Sequence, residues 1–332
     1  MASQNTGKIS GYLNSFKKKK VLIVGDVMID SYMWGKATRI SPEAPVPVVT
    51  VTNKDYRLGG AANVALNITA LNATPYLCSV IGVDNYSLIF NELMKNNNLS
   101  TEGIISHESR NTTVKTRIIC SDQHMLRVDE EIESDLSNEV SAQLYTRIEE
   151  IVKKYNIDVI IFEDYDKGVL TPELIEKIVA LARKLNIITT VDPKKKNFNY
   201  YKNVDLFKPN FKEFTEGVKI DIYKNDIGKL TEYAKKFLKD TDNKNLMITL
   251  SEYGNFISDN SVSFHYPAML RNIADVSGAG DTVISIASLL LSSGATIAEI
   301  AEISNIAGGL VCGKVGVIPV CAEELKDYFN EK

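Results

Sequence analysis

The chain has little of what marks several common protein classes. Its 332 residues contain four cysteines, Cys78, Cys120, Cys312 and Cys321, far apart and without a CxxC pair. That excludes a disulfide framework or a structural zinc site and predicts buried, reduced thiols. The three histidines, His107, His124 and His265, are isolated and lack metal-ligand spacing, so they are expected to be structural or surface residues. Positive charge is not in surplus: 38 Lys and Arg against 42 Asp and Glu leave a net charge of −4. Nucleic acid is thereby excluded as the main partner, although a local basic pocket for a phosphorylated small molecule is not. No apolar run is long enough to span a membrane, and the polar first twenty residues, ending in the basic run Lys17 to Lys20, lack the apolar core of a secretion signal. A cytoplasmic protein without a membrane partner is expected.

What is present reads as an α/β fold. Hydrophobic residues make up 44% and charged residues 24%, enough apolar material for a sizeable core. Short β-branched runs at 20–25, 76–81, 158–162, 187–191, 205–208 and 246–250 alternate with stretches of helical periodicity at 60–72, 138–155, 171–186 and 226–239. Alternation of this kind predicts a mostly parallel sheet with helices on both faces and ligands at the carboxyl ends of the strands. Two segments break it. Residues 33–57 hold Pro42, Pro45 and Pro47 and then Val48-Val49-Thr50-Val51-Thr52, and residues 112–129 read as two strands around Ser121-Asp122-Gln123-His124. With no helix to cross over, they are expected to pair as a small antiparallel sheet, a lid whose edges carry the contacts of a homodimer. No repeat, low-complexity linker or domain break is evident, so residues 1–332 are expected to form one domain.

The motif richest in chemistry is Asp275-Val276-Ser277-Gly278-Ala279-Gly280-Asp281-Thr282, followed by an apolar helix through Leu291. Its glycines let backbone approach a ligand and turn N–H groups outward at a helix start, where phosphate is attracted. Asp281 can there accept a proton from an attacking hydroxyl. The plainer alternative is a glycine loop with an N-capping Asp. A decoy lies further on: Gly308-Gly309-Leu310-Val311-Cys312-Gly313-Lys314-Val315 fits GxxxxGK but puts Val where a P-loop needs Ser or Thr. Helix packing and capping is the reading for that stretch.

DVSGAGDT resembles the C-terminal signature of the ribokinase-like (PfkB) carbohydrate kinases, in which the last Asp is the catalytic base. Gly59-Gly60-Ala61-Ala62-Asn63-Val64-Ala65 resembles their N-terminal signature, and Asn210-Phe211-Lys212-Glu213 their NxxE motif, linked to magnesium and nucleotide phosphates. Further segments narrow the resemblance: Val24-Gly25-Asp26-Val27-Met28-Ile29-Asp30, Arg39-Ile40-Ser41-Pro42-Glu43-Ala44-Pro45-Val46-Pro47-Val48, Asp164-Tyr165-Asp166-Lys167-Gly168 and Val191-Asp192-Pro193-Lys194 look like the D-glycero-β-D-manno-heptose-7-phosphate kinases of lipopolysaccharide precursor synthesis. Many members of that family are fused to a nucleotidyltransferase with an HxGH motif, which this sequence lacks, so only the kinase activity is implied.

The resemblance implies ATP and Mg²⁺ as cofactors, with Asn210 and Glu213 holding the metal through water, and a K⁺ ion near Asp275 and Ser277. Lys194 and Ser251 are expected on the nucleotide side, and Gly278, Ala279 and Gly280 around the transferring phosphoryl. On the sugar side it points to Asp30, whose carboxylate suits two hydroxyls, with Gly59, Gly60 and Asn63, and to Asp164. A sugar carrying a phosphate needs a cation, and Arg39, Lys115, Arg117, Arg127 and Lys167 are the candidates. Lys115 and Arg117, two apart on a strand, share a face. Two other readings stay open: a kinase for another sugar or sugar phosphate, and a non-catalytic sugar-phosphate sensor.

Overall fold

The run Val21-Leu22-Ile23-Val24 is apolar throughout because the strand it forms is covered on both sides. Val21 and Ile23 enter one apolar cluster, Leu22 and Val24 the other, as the two-residue period of a strand requires. The computed structural model describes residues 2–120, 123–268, 276–314 and 316–330. In chain order these form α1 (Ala2–Phe16), β1 (Lys20–Gly25), β2 (Val27–Ile40), β3 (Pro47–Gly60), α2 (Ala61–Ala70), β4 (Thr74–Ile81), α3 (Asn85–Asn96), β5 (Ile104–Ser106), β6 (Val114–Cys120), β7 (Gln123–Glu130), α4 (Asn138–Tyr155) and β8 (Val159–Glu163). There follow α5 (Pro172–Leu185), β9 (Ile188–Asp192), β10 (Leu206–Phe207), α6 (Phe211–Val218), α7 (Ile227–Thr241), β11 (Asn245–Thr249), β12 (Asn255–Ser258), β13 (Ser263–Tyr266), α8 (Ala279–Ser292), α9 (Ile297–Cys312) and α10 (Ala322–Asn330).

The large sheet runs β13-β12-β11-β10-β9-β8-β1-β4-β5. It is parallel except where β12 and β13 close its edge as antiparallel strands. One face is covered by α1, α2, α8, α9 and α10, through residues such as Phe16, Val64, Ile286, Ala307 and Leu325. The other is covered by α4, α5, α6 and α7, through Leu144, Ile175, Phe214 and Phe237. The expected helices obey local rules. α5 starts at Thr171, whose hydroxyl accepts from the Leu174 amide ahead of Pro172, and it ends at the left-handed Asn186. Helix α1 was not expected, although Ile9, Leu13 and Phe16 recur at helical spacing and are buried. Among the described residues no helix is long and apolar enough to cross a membrane, and all four cysteines are free.

The two interrupting segments do form a separate small sheet, in the order β3-β2-β6-β7. Two expectations need correction. Its strands reach beyond 33–57 and 112–129, because β2 begins one residue after β1 and β3 runs up to the start of α2. The central pair β2 and β6 is parallel, since β6 is reached only after a crossover through α2, β4, α3 and β5. Ser121 and Asp122 of the expected turn lie outside the described residues. Register puts Asp30, Tyr32, Arg57, Lys115, Arg117, Arg127 and Asp129 on one face of this sheet, and Met33, Ile118, Leu126 and Val128 on the other.

Candidate active site

Two neighbouring strands end in acids at the same level, Glu163 of β8 opposite Asp192 of β9. Helix α8 starts beside them. Its N-cap Gly278 has φ 78°, and a Cβ there would lie 3.0 Å from Val317 Cγ1 and 3.1 Å from Asn63 Nδ2, so both conformation and space require glycine. Lacking a side chain, Gly278 puts no side-chain cap on the start of α8; the Ala279 amide donates to the Val276 carbonyl, and a helix start of this kind attracts anionic ligands. A Cβ on Gly280 would stand 3.7 Å from Asp192 Oδ2 and 3.8 Å from Lys208 Nζ, which puts the helix start next to that ion pair.

Asp281 lies in the first turn of α8 and is 6% exposed. Asn63 Nδ2 donates to its Oδ2 at 2.6 Å and the Tyr165 hydroxyl to its Oδ1 at 2.9 Å. Burial and then the charge of Asp192 push its pKa up to about 6, against the pull of those two donors and of Lys208. Asn63 is buried near the start of α2, and Asn67, one turn on, accepts from the Thr282 hydroxyl at 2.7 Å, so α2 and α8 are tied together twice. Tyr165 is placed from below: Asp26, buried between β1 and β2, accepts from the Tyr165, Lys167 and Val169 amides. Asp192 is held by Lys208 at 2.7 Å, both nearly inaccessible. Glu163 is fully buried, and burial followed by the charges of Asp192 and Asp281 holds its pKa well above the usual carboxylate range.

Beside the α8 start a cavity of about 490 Å³ is lined by Ser251, Gly254, Ala279, Gly280, Asn305 and Cys312, among others. Its size suits a nucleotide. Asn210 and Glu213 form a capping box at the start of α6: Asn210 Oδ1 accepts from the Glu213 amide and Glu213 Oε2 from the Asn210 amide. Glu213 Oε1 also meets Lys194 Nζ at 2.8 Å, and Lys194 reaches Asp192 at 3.7 Å. Burial lowers the Lys194 pKa, but Asp192 and Glu213 outweigh it and raise it overall. Phe211 packs on the core, and Lys212 is exposed, reaching Glu216. Asp275 lies outside the described residues; Ser277 sits in the turn before α8.

On the small sheet Asp30 is buried and ion-paired with Arg117. Gly59 makes room for it, since a Cβ there would lie 2.3 Å from Asp30 Oδ2. Arg117 also stacks over Tyr32, as does Arg57. Lys115 and Lys167 converge on Glu131, at 3.6 and 2.7 Å, and Lys167 meets Glu133 at 2.7 Å. Arg127 is exposed and held by Asp129, and Arg39 lies exposed near the hairpin tip. Asp164 does not join the sugar side. It is 1% exposed and accepts from the Tyr201 hydroxyl, Asn197 Nδ2 and the Asp166 amide, which makes it an anchor of its loop.

Sequence reasoning gave no role to Asp26, Glu163, Tyr165, Asp192 and Lys208. All but Tyr165, two residues past β8, stand at or next to the end of an apolar strand, which is the position where α/β sheets collect ligand groups. The GxxxxGK decoy is the end of α9: Gly308 lets α8 approach, a Cβ there falling 3.1 Å from Val283, and Lys314 pairs with Glu324.

Fold and site together are those of a ribokinase-like, ATP-dependent sugar kinase. Residues 18–325 match the pfkB family carbohydrate kinase, and the chain belongs to that family, whose chemistry uses ATP and a divalent metal ion. It is similar to the bifunctional protein HldE of Aliarcobacter butzleri, 39% identical over 312 residues that cover 94% of this chain and 64% of that protein. HldE of Helicobacter pylori J99 is 37% identical over 316 residues, covering 94% and 67%. The chain thus spans about two thirds of the length of these relatives. Among solved structures, phosphofructokinase-2 from Escherichia coli with fructose-6-phosphate matches with TM-score 0.76 at 17% identity, covering 94% of this chain and 98% of that one. Ribokinase from Thermotoga maritima matches with TM-score 0.68 at 20% identity, covering 95% and 100%. At such identities these two speak for the fold alone.

Proposed function

We propose that the chain transfers the γ-phosphoryl group of ATP to the anomeric hydroxyl of D-glycero-β-D-manno-heptose 7-phosphate. The products are the 1,7-bisphosphate and ADP, on the route to ADP-heptose and the lipopolysaccharide core. The observation that carries this reading is Asp281, fixed at the N-terminus of α8 with one donor on each carboxylate oxygen. Asp281 takes the proton of the sugar hydroxyl as its oxygen bonds to the γ-phosphorus and the bond to the ADP oxygen breaks. The first-turn N–H groups of α8 take up charge on the group in transit. Tyr165 and Asn63 hold the base in place, so its orientation costs little during the reaction.

The heptose assignment is supported by relatives named HldE and by the segment Arg39-Ile40-Ser41-Pro42-Glu43-Ala44-Pro45-Val46-Pro47-Val48. Asp30 receives sugar hydroxyls, with Gly59, Gly60 and Asn63 forming the floor, and Arg117 is the cation nearest that carboxylate. The cavity at Ser251 takes the adenosine, and Lys194 faces the phosphates. Asn210 and Glu213 fit Mg²⁺ held through water, because their capping bonds engage Asn210 Oδ1 and Glu213 Oε2 already. Bound there, the metal neutralises charge on the nucleotide phosphates. A K⁺ ion near Asp275 and Ser277 rests on the family resemblance alone.

The whole chain forms one kinase domain, with the small sheet as a lid that closes over the sugar and excludes water. Leu126 and Val128, exposed on the face opposite the charged one, support pairing of two lids in a homodimer. The protein works in the cytoplasm. ATP turnover measured across a panel of sugars tests the reading. Heptose 7-phosphate is expected to give the highest kcat/KM, and a higher value with ribose or fructose 6-phosphate would leave only the general sugar kinase.

A further inference from the structure

Most carboxylates of the site floor are satisfied. Asp281 has Asn63 and Tyr165, Asp192 has Lys208, and Asp26 has three amides. Glu163 is the exception. It is wholly buried, and neither carboxylate oxygen has a hydrogen-bond partner. A buried carboxylate without a donor is strongly disfavoured, so this group points to something absent from the protein itself.

The surroundings say what. One oxygen each from Glu163, Asp192 and Asp281 lies within 4.8 Å of the other two. Some point between them is therefore within about 2.8 Å of all three, close to the 2.3–2.6 Å of calcium–oxygen bonds and a small side-chain rotation from those of magnesium. The three carboxylates face Lys208, which pairs with Asp192, while Lys194 is closer to Glu213 than to Asp192. Counted with Lys194 and its partner Glu213, four carboxylates face two lysines, which leaves two negative charges, the charge of a divalent ion. All three donors are hard oxygens, and no histidine or cysteine joins them.

We propose that Glu163, Asp192 and Asp281 form a binding site for a hard divalent cation, separate from the ion expected at the nucleotide phosphates. Lys194 stands between this site and Glu213, which keeps the two centres apart. An ion here ties the ends of β8 and β9 to the first turn of α8 and keeps Asp281 ionised. The site does not depend on which sugar the enzyme takes, so its test can fail while the kinase assignment stands.

The test is a titration of nucleotide-free protein with MnCl₂, followed by calorimetry and by the loss of the free Mn²⁺ paramagnetic signal. The wild type should bind about one ion per chain, and Glu163→Gln should weaken binding tenfold or more. Glu213→Gln should leave it in place. Mn²⁺ should also raise the melting temperature of the wild type and not that of E163Q. If E163Q does not fold, Asp192→Asn is read in the same way. A wild type that binds no Mn²⁺ without nucleotide overturns the proposal and leaves a proton as what neutralises Glu163. So does binding that survives E163Q, or that is lost in Glu213→Gln alone.

Discussion

Asp281 and Arg117 were both expected at the sugar, but the molecule holds them differently. Asp281 belongs to a floor in which Asn63, Asp192 and Lys208 are buried and Tyr165 is half-buried, packed between helix starts and strand ends. Arg117 belongs to the small sheet, where cations pair with neighbouring acids and several of them reach solvent. Breaking a buried pair by removing one partner costs about 3–5 kcal/mol, whereas an exposed pair contributes about 0–1 kcal/mol. The floor is therefore set before the substrate arrives. The outer pair of the small sheet, Arg127–Asp129, can be exchanged for a ligand at little cost, whereas Arg117–Asp30, mostly buried, lies nearer the floor in this respect.

The strongest way to break this contrast is at the base. Asp281→Asn keeps shape and removes the proton acceptor, so kcat should fall about 10²–10⁴-fold with ATP binding little changed. Near wild-type turnover would remove Asp281 from its role. The wild type offers a second check. A base raised to about 6 is protonated below that pH, so kcat should fall as pH drops through about 6, roughly tenfold per unit. A divalent ion on Glu163 favours the ionised base and should move this limb to lower pH. With chemistry rate-limiting, a profile flat from pH 5 to 8 in both the wild type and Glu163→Gln would contradict the first statement, and a limb at the same pH in both would contradict the second.

The next effect lies where the two regions join. Asp26 sits between β1 and β2 and gathers three amides of the loop that carries Tyr165. In Asp26→Asn one carboxylate oxygen becomes an NH₂ group facing an N–H donor. A buried amide left without an acceptor costs about 1–3 kcal/mol, so thermal unfolding should show a melting temperature several degrees lower. Because Tyr165 moves with that loop, kcat should fall as well. A variant that melts like the wild type would mean the loop is held instead by Arg110, which donates to the Lys167 carbonyl, and by Asp164, which accepts from the Asp166 amide.

Much of this was legible in the sequence, for identifiable reasons. Five of the six strands placed from apolar runs and the helices α2, α4, α5 and α7 carry periodicity long enough to read; the sixth, β10, keeps only Leu206 and Phe207. Strands β5, β12 and β13, of three or four residues, do not. The parallel pairing of β2 with β6 was missed because register between segments eighty residues apart leaves no local trace. Gly278, Gly280 and Asp281 were found because one short segment holds glycines and base together. Lys208 and Glu163 were not, because a lysine or glutamate ending an apolar strand gains meaning only from what packs against it. Asp164 misled for the same reason: its strand-end position fits a ligand group, but Tyr201 and Asn197 enclose it.

The smallest effect separates two arginines that the sequence treated alike. Arg117 and Arg127 are directly opposite in register and share a face. Arg117 is mostly buried, paired with Asp30 and stacked over Tyr32, whereas the Arg127 side chain is 59% exposed and engaged with Asp129. A sugar phosphate that reaches Asp30 comes within range of Arg117 first. A charge-assisted hydrogen bond contributes about 1.5–3 kcal/mol, or roughly 10–150-fold. Arg117→Ala should therefore raise KM for the phosphorylated sugar by at least about tenfold and for the unphosphorylated one by less. Arg127→Ala, which loses an exposed pair, should change KM by no more than about fivefold, with kcat unaltered. Steady-state kinetics on both sugars distinguishes the cases. Equal effects of the two variants would show that the whole charged face acts as one field, and a larger effect of Arg127 would place the phosphate at the outer edge of the small sheet, away from Asp30.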